Sequence, residues 1–399
     1  METWKRNLIV IWVAELVAIA GFSVAFPFLP YYVQELGITD LKEVELWSGV
    51  IIAAQGVTMT IFSPLWGSVA DRYGRKLMIA RATFGGAVVL AAMGLVQNVQ
   101  QLVILRALQG VLTGTVAAAM TLVASGTPRE RAGFALGLLQ MAVWIGSSVG
   151  PLLGGVIADT WGYRAVFWVT GGLLLVAGLT VWLFVREEFT PLPRGQKSMG
   201  GGFWDGIKLV LATSSLVTLF VVRISARLGS SLTSPVLSLF IQSLAAPTAR
   251  VATLTGLING VTAATSAVSA VVLGRASDRR GYRPVLLACM AAVALLWLPQ
   301  AFVTTPWQLL LLQGAVGFAM GGVLAAISAA MATLSPEGRQ GVVYGLDASA
   351  VSAASAVAPM IGAAVAAVWG LRVPFALTAI ILGVTTGLVW RLVPKTSRT

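Results

Sequence analysis

Long apolar runs separated by short polar breaks make up almost the whole chain. A helix needs roughly 20 apolar residues to cross hydrocarbon. Runs of about that length lie near 8–30, 46–70, 77–96, 101–124, 134–158, 165–185, 211–241, 250–273, 284–303, 307–330, 342–367 and 373–393. They predict twelve spans and an all-α membrane protein. The first run is too long for a signal peptide and has no small-residue cleavage site, so it reads as span one.

Composition agrees with lipid as the main solvent. The chain is 57% hydrophobic and 11% charged, with mean hydropathy +0.87, where a soluble protein carries about 25% charged residues. The net charge of +12 does not indicate nucleic acid, because the basic residues sit in short loops and form no basic domain. They set orientation instead. With the N-terminus inside, twenty Lys and Arg fall in cytoplasmic segments and only Lys42, Arg164, Arg250 and Arg372 outside. Both termini are then expected in the cytoplasm. Cys289, in an apolar run, reads as a small buried side chain, and as the one cysteine it has no intrachain disulfide partner.

The chain also repeats itself. An offset of 208 residues places Pro27 on Pro235, Pro128 on Pro336, Gly137 on Gly345, Pro151 on Pro359 and Gly154 on Gly362. It places "WGYRAVF" (161–167) on "WGLRVPF" (369–375). "GSVADRYGRK" (67–76) recurs 207 residues later as "GRASDRRGYR" (274–283). Two six-span halves of one orientation form a parallel repeat about an axis along the membrane normal. The expected organisation is an N-terminal six-helix bundle (1–185), a cytoplasmic linker rich in Gly and Pro (186–210) and a C-terminal six-helix bundle (211–399).

Twelve spans as six plus six, with these motifs, resemble the major facilitator superfamily over essentially the whole chain. "GSVADRYGRK" is similar to the signature loop between spans two and three, and "RALQG" (106–110) to the span-four motif. "GSSVGPLLGG" (146–155) resembles the span-five pattern of exporters that run as antiporters. "PFLPYY" (27–32) points to the twelve-span drug:proton antiporters. The resemblance implies two bundles related by a pseudo-two-fold axis in a bacterial inner membrane. It also implies a monomer that exports amphiphilic small molecules in exchange for protons. The partners are then a small-molecule substrate, protons and the bilayer, with no nucleic acid, metal or cofactor. No Walker motif or soluble nucleotide domain is present to use ATP. A membrane enzyme would want clustered acids, histidines or a serine motif at one depth, and none is seen.

Charges inside spans mark function by default. Glu15 and Asp347 are the two acids that lie clearly within the runs, beside Arg106, Arg223 and Arg227. The chain has no histidine, so a proton carrier has to be a carboxylate in an apolar surround. Glu15 and Asp347 are the candidates. Arg106 matches the family's span-four arginine, which the resemblance links to proton transfer. Glu15 plus 208 is Arg223, so opposite charges occupy pseudo-equivalent positions on spans one and seven. The pair is expected to meet in at least one state, linking substrate binding to protonation. Arg227 lies one turn further on, and drug exporters usually have uncharged polar residues at the positions of Arg223 and Arg227. The alternative reading is therefore an exporter or flippase of an anionic or lipid-like metabolite. Phe22 and Phe26, Gln55 and Met59, and Gln140 and Trp144 are i,i+4 pairs on single helix faces. With Asn259 and Gln313 they are candidates to line a central cavity.

The loop signature has a physical reading as a latch. Gly67 permits close helix approach and Gly74 a tight turn. Asp71 suits the positive N-terminal end of another helix, such as span eleven near Gly341. Arg72, Arg75 and Lys76 are expected to meet acids such as Glu130. The second copy keeps Asp278, Arg279 and Gly281. In span five, Gly146, Gly150 and Gly154 form one ridge suited to close packing, with Pro151 as a kink and Gly155 beside it. If Asp71 latches the cytoplasmic side, Asp71→Asn lowers turnover more than substrate affinity. Transport at the wild-type rate with normal expression removes that role.

Overall fold

The structure, a computed structural model, describes residues 3–112, 114–187, 213–246, 248–335 and 340–392. Among them every regular element is helical. The first helices are α1 (Thr3–Ala25), a short 3-10 turn (Phe26–Phe28), α2 (Leu29–Glu35), α3 (Leu41–Tyr73) and α4 (Arg75–Met93). They are followed by α5 (Val99–Leu112), α6 (Thr115–Gly126), α7 (Arg129–Trp161) and α8 (Tyr163–Phe184). The remainder are α9 (Ser214–Leu232), α10 (Ser234–Leu244), α11 (Val251–Arg280), α12 (Tyr282–Gln300), α13 (Pro306–Leu334), α14 (Gln340–Trp369) and α15 (Val373–Leu392). Twelve stretches are long and apolar enough to span a membrane. Spans one, four and seven are each made of two helices, α1 with α2, α5 with α6, and α9 with α10.

Local chemistry explains where the helices begin. Asp40 caps α3, its carboxylate accepting the backbone N–H of Lys42 at 2.7 Å. Asp40 and Glu43 stand in capping-box spacing, so the helix starts well before the apolar run that begins near 46. A consequence is that Glu45 lies inside the second span and is only 4% exposed. Glu15 and Asp347 are therefore not the only acids buried in the spans. Gly74, at φ 95°, lets α3 end and α4 begin without a linker, a backbone angle that a side chain would strain. Gly74 offers no side chain to the first N–H groups of α4. Glu187 supplies the cap, its two carboxylate oxygens accepting from the backbone N–H of Arg75 and of Lys76, each at 2.9 Å.

Two compact units emerge. One holds Met1–Arg194 with Ala246–Gly260, the other Gly195–Ala245 with Val261–Thr399. In the first, α1 packs along α7 and α8, α4 along α8, and α3 along α5. The span-five glycine ridge faces α1. A Cβ on Gly146 would sit 2.9 Å from the Ala20 backbone, and one on Gly150 2.5 Å from the Ala20 carbonyl oxygen. Gly154 meets the Val24 backbone in the same way. The opposite side of α7 holds the start of α11, where Gly155 lies against Ala252 and Gly256 against the Pro151 carbonyl. Asp159, near the end of α7, caps α11. It accepts from the Thr253 backbone N–H at 2.7 Å and the Thr253 hydroxyl at 2.6 Å. A negative charge there complements the positive end of the helix.

In the second unit α9 packs on α14 and α15, and α12 on α13 and α15. Phe375 is fully buried between Phe240 at 4.9 Å and Trp297 at 5.8 Å. One repeated motif does the same work in each unit. Arg164 donates to the Val96 carbonyl at the end of span three, and Arg372 to the Ala301 carbonyl at the end of span nine. A cation there answers carbonyls that the helix leaves unpaired.

The close α1–α7 contact is testable. Gly150→Val has no space and must push α1 away, a cost of about 1–3 kcal/mol. Gly137→Val, at a position with open space around it, should be tolerated. Thermal denaturation of the two purified variants in one detergent measures the contrast. Equal melting temperatures would show that the ridge is not a packing constraint.

Candidate functional site: two charge clusters in the spans

The first cluster lies at the break in span four. Gly114 has φ 123° and starts α6 without a side-chain cap. Only glycine adopts such a backbone cheaply. The break presents Thr115 at the first position of α6, and its hydroxyl donates to Glu15 Oε1 at 3.0 Å. Glu15, on α1, is 2% exposed. One turn or two before the break, Arg106 and Gln109 project from α5, and both are buried. Arg106 Nη1 donates to Gln109 Oε1 at 2.7 Å, while its Nε and Nη2 have no hydrogen-bond partner. Its guanidinium lies 5.9 Å from the Phe26 ring centre. Neither Glu15 nor Arg106 has an ion-pair partner among the described residues. A carboxylate with one neutral donor gains or loses a proton without dismantling a salt bridge.

The second cluster is on α9 and α14. Arg223 Nε donates to Asp347 at 3.1 Å (Oδ1) and 3.3 Å (Oδ2). The pair is shielded, its side chains being 23% and 11% exposed. One turn on, Arg227 Nε donates to Ser355 Oγ at 2.5 Å. Arg223 thus has its carboxylate partner within the second unit, and Glu15 its donor within the first.

Other candidates are placed as follows. Phe22 packs against Gly86 of α4. Gln313 donates to Gln300 at 3.0 Å in a fully buried pair between α13 and α12. Asn259 turns back to the Thr255 carbonyl of its own helix at 2.9 Å. Gln55, Met59, Gln140 and Trp144 are half-buried. The side chains of Gly67, Asp71, Arg72, Glu130 and Asp278 lie outside the described residues. Of the loop motif, Arg75 and Lys76 bind Glu187 through their backbone, and the Lys76 ammonium lies 5.6 Å from the Trp182 ring centre. Gly281 repeats the geometry of Gly74 at φ 86°, and Arg279 is exposed. A cavity of about 400 Å³ opens between Trp4, Asn7, Ile11, Arg75, Arg186 and Glu187, and neither Glu15 nor Arg106 lines it.

Sequence reasoning passed over Thr115, Gln109, Asp159, Glu187, Ser355 and Glu45. Only Glu45 had a local signal, the capping residues Asp40 and Glu43 that draw the helix start forward. The others are ordinary polar residues, picked out by what they touch.

Comparison with known proteins bears on the whole chain. A family model described as the Major Facilitator Superfamily matches residues 11–222 and 219–399. The multidrug resistance protein MdtG of Enterobacter lignolyticus is 36% identical over 391 residues, covering 97% of this chain and 93% of the relative. MdtG of Salmonella typhimurium is 35% identical over 380 residues, covering 94% and 92%. Among solved structures, a point mutant of the nucleoside transporter NupG superposes with TM-score 0.81 at 13% identity, over 97% of this chain and 100% of that one. A bacterial homologue of the human lysosomal transporter Spinster, inward-facing and occupied, gives TM-score 0.80 at 14% identity, over 98% of each chain.

The Arg223–Asp347 pair makes its own prediction. Removing one partner of a shielded ion pair strands the other charge, at a cost of about 3 kcal/mol or more. Arg223→Ala should therefore lower the melting temperature further than Arg223→Gln combined with Asp347→Asn. Additive losses in a double-mutant cycle would show that the two side chains do not depend on each other.

Proposed function

Because this chain belongs to the major facilitator superfamily, we propose that it is a proton-coupled antiporter. It exports amphiphilic small molecules across the cytoplasmic membrane of a bacterium, in the manner of a multidrug efflux protein. Both termini face the cytoplasm, two six-span bundles rock about a central path, and the chain works as a monomer without cofactor or chemical catalysis. The printed names of its relatives supply the efflux reading, and the scarcity of Lys and Arg in the loops on one side supplies the orientation.

One observation carries the proton reading. Glu15 is buried in span one with the Thr115 hydroxyl as its donor and, among the described residues, no ion-pair partner. A proton arriving there can neutralise Glu15 while the helix break at Gly114 keeps the contact with Thr115. Arg106 lies on the same broken span, and its unpartnered nitrogens stand ready for a substrate carbonyl or a relayed water. Neutral Glu15 crosses the hydrocarbon at far lower cost than the anion, which is what couples a conformational change to protonation.

A second reading, export of an anionic or lipid-like metabolite, is favoured by Arg227. Among the described residues, its guanidinium is hydrogen-bonded to the neutral Ser355.

Proteoliposomes with an imposed pH gradient test the first reading. The wild type should concentrate a cationic dye such as rhodamine 6G against its gradient. Glu15→Gln should lose uphill transport by roughly tenfold or more, the size of a coupling free energy of about 1–3 kcal/mol. It should keep exchange of dye for dye when no gradient is applied. Wild-type uphill rates in Glu15→Gln would place the coupled proton elsewhere.

A further inference from the structure

Two guanidinium groups and one carboxylate share the α9–α14 face: Arg223, Arg227 and Asp347. Arginine stays protonated in proteins, so the cluster carries one positive charge in excess when Asp347 is ionised. The elements packed against α14 do not correct this. Neither α10 nor α13 has any titratable side chain, and α15 contributes only Arg391, exposed at its far end. On α14 itself the Tyr344 side chain lies outside the described residues. Arg227 is exposed, and repelled by the like charge of Arg223 one turn away. A cation within a membrane span is costly and marks a ligand path. The chemistry it calls for is an oxyanion, which a guanidinium binds in a planar fork.

We propose that Arg223, Arg227 and Asp347 form a subsite that reads substrate charge, binding an anionic group together with one proton but a cationic group in place of one. The proposal rests on the transport reading above and adds the sign of coupling for each substrate class. Asp347 and an incoming sulfonate, carboxylate or phosphonate compete for Arg223, because the carboxylate already occupies the Arg223 Nε–H with both oxygens. A proton taken from solvent onto Asp347 removes its claim, and Arg223 can join Arg227 around the anion. Proton and anion therefore assist one another. A cationic group does the reverse: it needs Asp347 ionised, displaces Arg223 from it and excludes the proton. By linkage the effect is reciprocal, so each ligand must change proton affinity as the proton changes its own. An inward proton gradient then drives cations out by exchange, whereas export of an anion through this subsite draws on the anion's own gradient or the membrane potential.

Matched probes test this. Naphthalene-1-sulfonate and trimethyl(1-naphthyl)ammonium share a ring system and carry opposite charges that do not titrate between pH 6 and 8. Calorimetry on the full-length protein, in buffers of different ionisation enthalpy, reads affinity and protons exchanged together. The sulfonate should bind more tightly as pH falls, by up to about tenfold per pH unit, the limit for one linked proton, and should take up a proton. The ammonium should bind less tightly and release one. Asp347→Asn should bind the sulfonate at pH 8 as tightly as the wild type does at pH 6, without pH dependence. Arg227→Gln should weaken the sulfonate several-fold and should not weaken the ammonium.

Sulfonate binding without proton uptake, or no sulfonate binding by protein that binds the ammonium, overturns the proposal. So does pH dependence that survives in Asp347→Asn. If Asp347→Asn does not fold, the wild-type proton counts and Arg227→Gln decide the matter. Failure of the transport reading would appear elsewhere, as absence of uphill ammonium movement in proteoliposomes while the proton counts in binding stand.

Discussion

A polar group removed from water must find a partner within the protein, and in hydrocarbon that demand extends to the whole backbone. Helices satisfy it along their length, so the conspicuous interactions collect where helices end or break. Asp40 caps α3, Glu187 caps α4 and Asp159 caps α11. Arg164 and Arg372 answer carbonyls at opposite helix ends. The same demand governs side chains inside the spans. Glu15 has Thr115, Arg106 has Gln109, and Arg223 has Asp347. Among the described residues the match is incomplete at the spare nitrogens of Arg106.

The two units keep the architecture of the repeat and diverge in its chemistry. Gly74 and Gly281 turn the chain with nearly the same φ, as do Gly162 and Gly370. Pro27 and Pro235 both follow breaks in spans one and seven. Span four breaks at Gly114, yet its counterpart α13 runs on unbroken through Gly322. The break is what brings Thr115 to Glu15, so the second unit has no copy of the first cluster. In its place α9 carries Arg223 and Arg227. The first unit thus buries a carboxylate held by a neutral hydroxyl, and the second a carboxylate paired with an arginine. Glycines in span five serve packing on both sides of one helix, against α1 and against the start of α11. A substitution there changes helix separation before it changes any polar contact.

Much of this was legible in the residues. Twelve spans, the repeat, and the charges at 15, 106, 223, 227 and 347 follow from a single fact: a charge or a break in a long apolar run stands out. The motif loops identified the family. Less of the site was legible. The second span was read as starting near 46, so Glu45 was placed outside it, although Asp40 and Glu43 already signalled an earlier start. Gln313 was a candidate cavity residue and is held by Gln300 in a buried pair. Which face of a helix looks inward depends on its rotation against neighbours, and hydrophobicity all round a membrane helix conceals that rotation.

By itself the sequence determined how often the chain crosses the membrane, where its halves correspond and which charges must be accommodated in lipid. Only the tertiary structure decided their partners. Pseudo-symmetry set Arg223 opposite Glu15, yet in the structure Arg223 pairs with Asp347, 124 residues further along the chain. A repeat relates positions, but an ion pair requires two side chains to approach within about 3 Å. That approach is fixed by how α9 packs on α14, which no spacing along the chain encodes.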